Sequence, residues 1–228
     1  SSMGKQAIAS PPLDFEDKME MKTYTLNYAQ RPLVTTWTSE LIGLDEEPAG
    51  MAAVVAILCH GGYNQEDSAL FNRASFQRGM FRTTACRVFK ETEMSHGSDI
   101  EKFEPIVEGV QGKRKGDYSK LGPDGIAPVG TQLGKDDVLI GKTIAYTSVK
   151  KENEGGGYIS QKVKRDRSVQ MKTHEECRVD KIMISATKDD LKFASVRTTS
   201  QREPEIGDKF CLSPDHEVLT ARGWKAIQ

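Results

Sequence analysis

Two carboxylates stand side by side in residues 61–68, GGYNQEDS, just after the apolar run 51–59, MAAVVAILC. Glu66 and Asp67 are hard oxygen donors of the kind Mg²⁺ prefers. Mg²⁺ takes one or two protein carboxylates and completes its shell with phosphate oxygens and water. Neighbouring residues of a strand point to opposite faces. Either the pair lies in a turn, then, or only one of the two reaches a given ion. A solvated acidic turn is the other reading. Cations are interleaved along the rest of the chain at Lys5, Arg31, Arg73, Arg78, Arg82 and Arg87, in 162–167 (KVKRDR), and at Arg197 and Lys209. They could line a groove for a phosphate backbone or cover ordinary solvated faces. Histidines 60, 96, 174 and 216 are isolated, and His174 with Cys177 lacks the second ligand pair that zinc needs. The chain has no phosphate-binding G-x-x-x-x-G-K-[ST] or G-x-G-x-x-G loop and no G-x-S-x-G elbow.

The elements that must hold these groups read as mostly β. The run 33–38 (LVTTWT) is β-branched and aromatic, which predicts a strand. The apolar run 51–59 predicts a buried strand from its length and the glycines after it. A short helix is expected within 69–81, ending at Gly79. Strands are expected over 83–91 and 137–149, and a hairpin over 178–187 and 191–200, turning at 188–190. Residues 92–122, with the basic patch 112–120 (GKRKGDYSK), read as a mobile surface segment. The net charge is -1, so any nucleic-acid surface must be local or shared with other chains. Four cysteines at 59, 86, 177 and 211 show no CxxC spacing. That excludes a zinc ribbon, argues against a disulfide framework and favours a reducing compartment. No apolar run reaches membrane-spanning length, and 1–10 has no signal-peptide core.

Four segments in collinear order resemble the second-largest subunit of multisubunit RNA polymerases, and the NQEDS form is nearer the polymerase II type than the I or III types. They are 3–7 (MGKQA), 62–82 (GYNQEDSALFNRASFQRGMFR), 116–143 (GDYSKLGPDGIAPVGTQLGKDDVLIGKT) and 191–210 (LKFASVRTTSQREPEIGDKF). The segment 28–36 (YAQRPLVTT) also fits, while 8–26 and 37–61 fit less well, as in a divergent cellular or viral relative. The resemblance implies a mainly β fold with some α. Residues 1–84 would be the first part of the hybrid-binding region, 85–196 the wall or flap, and 197–210 the return to the hybrid-binding region. It implies that Glu66 and Asp67 face the second Mg²⁺, which arrives with the nucleoside triphosphate, Asp67 more directly. It implies that Lys209 meets RNA phosphate near the growing 3′ end, and that Gln6, with Lys5 as a weaker candidate, lies near the RNA–DNA hybrid. The implied partners are the largest subunit, other polymerase subunits, template DNA, transcript and triphosphates. The tightly held metal would sit on the largest subunit, so this chain alone would not polymerise. The implied location is the nucleus, or a virion or viral factory.

From Cys211 a different pattern begins. Residues 211–227, CLSPDHEVLTARGWKAI, resemble the N-terminal splicing motif of inteins, with Cys-Leu, Asp215, an apolar strand and a Gly223-Trp224 turn. The resemblance implies the first strands of a Hint-type fold over 211–228, with Cys211 as splicing nucleophile. A thiolate beside a peptide carbonyl can shift the acyl group from nitrogen to sulfur. A small buried hydrophobic cysteine is the bland reading. The later Thr/His motif, terminal Asn and downstream nucleophile have no counterpart up to Gln228, so splicing is not expected of residues 1–228, which read as a piece of a precursor. Two alternatives stay open: a free-standing autoprocessing protein built around Cys211, and a β-rich binding module in which Glu66 and Asp67 are only a polar turn.

Overall fold

A computed structural model describes residues 5, 8, 14–19, 22–97, 99–151, 158–172 and 176–210, together with the backbone of 217–220 and 223–226. In chain order the elements are β1 (Thr23–Leu26), α1 (Trp37–Leu41), α2 (Arg73–Gln77), β2 (Thr83–Thr92), β3 (Ser95–His96), β4 (Asp99–Phe103), β5 (Gln132–Leu133), β6 (Val138–Ile140), β7 (Lys142–Lys151), β8 (Tyr158–Asp166), β9 (Val169–Gln170), β10 (Cys177–Ala186), β11 (Lys192–Arg202), β12 (Glu217–Thr220) and β13 (Gly223–Ala226). The molecule is therefore mainly β with little helix, as expected.

The largest sheet has the order β1-β2-β11-β10-β5. The expected hairpin is its centre: β10 and β11 pair from Ala186↔Lys192 to Arg178↔Thr199, with one register shift at Val179/Lys181. β11 then pairs antiparallel with β2 along its whole length, from Phe193↔Thr92 to Arg202↔Thr83. A second sheet, β3-β4-β7-β8, carries the long β7–β8 ribbon, and β6 pairs with β9. The core lies between these layers. Ile126, Leu133, Leu139, Ile140, Met171, Val179, Ala194 and Val196 are buried there. Gly141, between β6 and β7, lies so close to the Glu104 carbonyl oxygen that a Cβ there would meet it at 2.6 Å.

A lysine joins the two large sheets. Lys142 on β7 is 7% exposed, with Nζ 2.8 Å from Glu91 on β2 and 3.0 Å from Glu101 on β4. Burial opposes its charge, but the two carboxylates outweigh burial and raise its pKa. A buried lysine is tolerated only when paired in this way.

Three expectations are corrected. Residues 33–38 form no strand. Thr36 caps α1: its hydroxyl accepts from Ser39 N–H, and the Ser39 hydroxyl accepts from Thr36 N–H. The β-branched run thus ends in a capping box, and a local cap outweighs β propensity in an unpaired segment. Residues 51–59 are not a buried strand either. They make no ladder, and Val54, Val55, Ile57 and Leu58 are exposed. The segment is held at its ends: Gly50 bridges Gln30, the Gln30 side chain accepts from Ala52 N–H, and Leu58 C=O accepts from the Asn64 amide. Finally, 92–122 is not a loose surface segment. It contains β3 and β4, and its basic patch is pinned by Tyr118, whose hydroxyl donates to Asp166 at 2.6 Å.

The short helix and the strand after it fall where expected. Asn72 caps α2, and the chain leaves it through Gly79 at φ +104, where a Cβ would strike the Tyr28 ring at 2.5 Å. β12 and β13 form an antiparallel ribbon, Glu217↔Ala226 to Thr220↔Gly223.

Candidate nucleic-acid interface

The acidic pair lies in a turn. Gly61 and Gly62 have φ of +60 and +75, and Glu66 itself has φ +54. A left-handed backbone costs a non-glycine residue about 1–2 kcal/mol, so something must hold the loop closed. Asn64 does this, its amide oxygen accepting from His60 N–H at 2.9 Å and its amide nitrogen donating to Leu58 C=O at 2.5 Å. Ser68 N–H closes the turn onto Gln65 C=O. Glu66 and Asp67 are both exposed. Among the described residues no cation pairs with either, and no group of three or more His, Cys, Asp and Glu side chains could hold a metal by itself. Two free carboxylates fit a Mg²⁺ that draws its other ligands from phosphate and water.

Lys209 follows a second tight turn. Asp208 N–H bonds Glu205 C=O, Glu205 N–H donates to Asp208 Oδ2 at 2.9 Å, and Gly207 takes φ +101. Asp208 also receives Arg202 Nη2 at 2.6 and 2.5 Å, with the two side chains 6% and 8% exposed. Burial works against the Asp208 carboxylate. The Arg202 bond and the Glu205 N–H outweigh it, so its pKa lies below the ordinary value. This pair fixes the backbone from which Lys209 projects into solvent.

Three distant stretches meet at this turn. Lys5 Nζ lies 3.1 Å from Glu205 Oε2, which brings the N-terminal motif to the C-terminal one. Phe210 sits with its ring 4.5 Å from Phe71 and 5.2 Å from Phe81, and Phe71 stacks on Phe76 of α2 at 5.0 Å. The segment that follows Asp67 therefore packs on the residue that follows Lys209. A cleft of about 180 Å³ opens here, lined by Ile8, Leu26, Phe81, Arg202, Lys209 and Phe210 among others. Arg82 also pairs with Glu203 beside it.

Sequence reasoning missed the Arg202–Asp208 pair, the Lys5–Glu205 contact and the phenylalanine cluster. Lys5 and Glu205 are 200 residues apart and leave no local signal; Arg202 and Asp208 are six apart, a spacing that no regular strand or helix pattern marks. Arg197, counted among cations for a groove, is instead 4% exposed and engaged by Asp180, Glu16 and the Phe15 carbonyl. It ties residues 14–18 to β11. Lys164 is likewise bound to Glu104 at 2.6 and 2.8 Å. Gln6 and Cys211 lie outside the described residues.

The profile of RNA polymerase Rpb2, domain 6, matches residues 1–213. The chain belongs to this family. It is 40% identical over 212 residues to DNA-directed RNA polymerase II subunit 2 of Arabidopsis thaliana, an alignment covering 92% of this chain and 18% of the relative. It is 39% identical over 211 residues to the probable RNA polymerase II subunit RPB2 homolog of Invertebrate iridescent virus 3, covering 92% and 17%. Against subunit Rpo2 of Sulfolobus acidocaldarius the identity is 34% over 212 residues, covering 92% and 19%. The chain thus spans less than a fifth of the length of these relatives.

Proposed function

We propose that residues 1–210 act within the second-largest subunit of a DNA-directed RNA polymerase, in the nucleus or a viral factory. There they bind the RNA–DNA hybrid and help handle the incoming triphosphate. One observation carries the proposal. Lys5, Lys209 and the segment after Glu66–Asp67 converge on one turn through Glu205 and Phe210, in a chain of the Rpb2 family. Lysine supplies a point charge to phosphate, worth about 1.5–3 kcal/mol as a charge-assisted bond. Asp67 and Glu66 would share a Mg²⁺ brought by the triphosphate, an ion that neutralises charge on the transferred phosphate. Gln6 and Lys5 would face the hybrid. Residues 1–84 and 197–210 would form the hybrid-binding part and 85–196 the wall. The exposed apolar side chains between Leu33 and Leu58 suit burial against the largest subunit or the rest of this one.

The test is Asp67→Ala in the assembled polymerase. Elongation should fall at least about tenfold, equivalent to ~1.4 kcal/mol of transition-state stabilisation, and the Mg²⁺ requirement should rise. Unchanged elongation with unchanged Mg²⁺ dependence would leave the acidic pair as a polar turn.

Residues 211–228 are proposed as the start of an intein. The family match stops at residue 213, and the strands Glu217–Thr220 and Gly223–Ala226 pair antiparallel beyond it. In the first step Cys211 Sγ would attack the Phe210 carbonyl carbon. The Cys211 nitrogen would leave and take the thiol proton, exchanging an amide for a thioester. In the whole gene product, Cys211→Ala should block joining of the flanks, and a joined product from that variant would refute the assignment. A free-standing autoprocessing protein is disfavoured, because the family match covers all of residues 1–210.

A further inference from the structure

The basic patch at 112–120 is anchored by hydrogen bonds to β8 and β9. Gln111 N–H donates to Lys164 C=O and Asp166 N–H to Gln111 C=O, both at 2.9 Å, so the patch runs beside the end of β8. Gln170 Nε2 donates to the Lys115 carbonyl at 3.0 Å. Between these ties Asp166 is buried and accepts from the Tyr118 hydroxyl at 2.6 Å and Ser168 N–H at 2.8 Å. At Gly112 a Cβ would lie 3.4 Å from the Arg165 side chain, so patch and strand are in contact.

This scaffold brings exposed Lys113, Arg114 and Lys115 beside exposed Arg165 and Arg167. None of the five has an ion-pair partner among the described residues, and Lys113 lies 5.9 Å from the Tyr118 ring centre. Two carboxylates stand beside these five cations: Asp166 is buried and accepts from Tyr118, Ser168 N–H and Arg114 N–H. Asp117 accepts from Ser119 N–H at 2.9 Å. A local positive field thus stands on a chain of net charge -1.

We infer that Lys113, Arg114, Lys115, Arg165 and Arg167 form a second phosphate-backbone contact for single-stranded nucleic acid. Three of the five are arginines, whose forked donors suit phosphate. The patch also lacks what a protein partner would need. No large hydrophobic residue is exposed between 108 and 120 or between 160 and 172, whereas protein interfaces keep an apolar, charge-poor centre. Phosphate binding needs only the cations. The inference rests on the polymerase reading for its setting but not for its test.

The 228-residue chain is titrated with a fluorescein-labelled single strand of about 20 nucleotides across a salt series. Each phosphate contact contributes roughly 0.7 to the slope of log K against log salt for single strands. The triple variant Lys113→Gln, Arg114→Gln, Lys115→Gln should therefore lower the slope by about 2. Arg165→Gln with Arg167→Gln should lower it by about 1.4 from the other side of the patch. Lys22→Gln with Lys188→Gln, exposed residues beside β1 and at the β10–β11 turn of the large sheet, should leave it unchanged. Equal losses in that control, or no loss in the two patch variants, would overturn the assignment. So would displacement of the strand by polyglutamate at matching charge concentration, which would make this a site for an acidic protein. None of these results bears on Asp67 and elongation, so the two proposals fail separately.

Discussion

Asp208→Asn is the sharpest test of how the Lys209 turn is built. The substitution keeps size and removes charge. Arg202 would then remain 8% exposed without its counterion. It has little in reserve, since its Nε is already buried without a hydrogen-bond partner. Breaking a buried pair by removing one partner costs about 3–5 kcal/mol, because a charge is left uncompensated. The Glu205 N–H bond to Asp208 Oδ2 would weaken as well. Denaturant unfolding of the whole chain, followed by circular dichroism, should show a loss in that range. Replacing both partners, Arg202→Met with Asp208→Asn, should cost clearly less than the sum of the single changes. The pH dependence has a fixed sign. Asp208 titrates below its ordinary value in the fold, so the pair stabilises above about pH 4, the unfolded value. That contribution disappears as pH falls through the folded pKa. The difference between wild type and Asp208→Asn should therefore shrink below pH 4. A loss under about 1 kcal/mol at pH 7, with additive double substitution, would refute the account.

Three further outcomes follow from buried geometry. Lys142→Met should destabilise the chain by about 3–5 kcal/mol, because Glu91 and Glu101 lose their common cation; restoration of stability by adding Glu101→Gln is the check on the mechanism. Tyr118→Phe should cost about 1–3 kcal/mol by taking a donor from buried Asp166. Tyr118, pushed up to about 12 by burial and then by Asp166, should remain a donor across the whole neutral range, so this loss should not vary between pH 6 and 9. Gly125→Ala should destabilise by more than 1 kcal/mol, since Gly125 has φ +81 and a Cβ there would meet the Glu104 backbone at 2.6 Å; thermal unfolding measures it.

The parts legible in the sequence were those whose pattern is local. The alternation in 83–91 and the Lys188–Asp189–Asp190 turn announce β2 and the β10–β11 hairpin, because period and turn chemistry sit within a dozen residues. The sequence leaves the turn at Glu66–Asp67 as one of two readings, and the clamp by Asn64 gives no signal in it. What stayed hidden depends on distant partners. Arg197 looks like a groove cation until Asp180, Glu16 and Phe15 are seen around it. Lys5 and Glu205 are 200 positions apart. Thr36 is hidden for a local reason instead: it reads as a β-branched strand residue until its hydroxyl is found on Ser39 N–H, three residues on.

The run 51–59 failed for a different reason, and the failure is testable. Continuous apolar sequence predicts burial, and burial within one chain predicts a strand or helix that packs on the core. Here the core is formed instead by β6, β10, β11 and 126–133, and the apolar run stays outside it with Val54 fully exposed. A side chain already in water loses nothing on becoming polar. Val54→Asp should accordingly leave unfolding of the isolated chain within about 0.5 kcal/mol of wild type. Val196→Asp, a change of the same chemistry in the core, should cost more than about 4 kcal/mol by burying an unpaired carboxylate. If Val54→Asp proved as damaging as Val196→Asp in denaturant unfolding, the run would be packed within this chain. Its exposed placement would then be wrong.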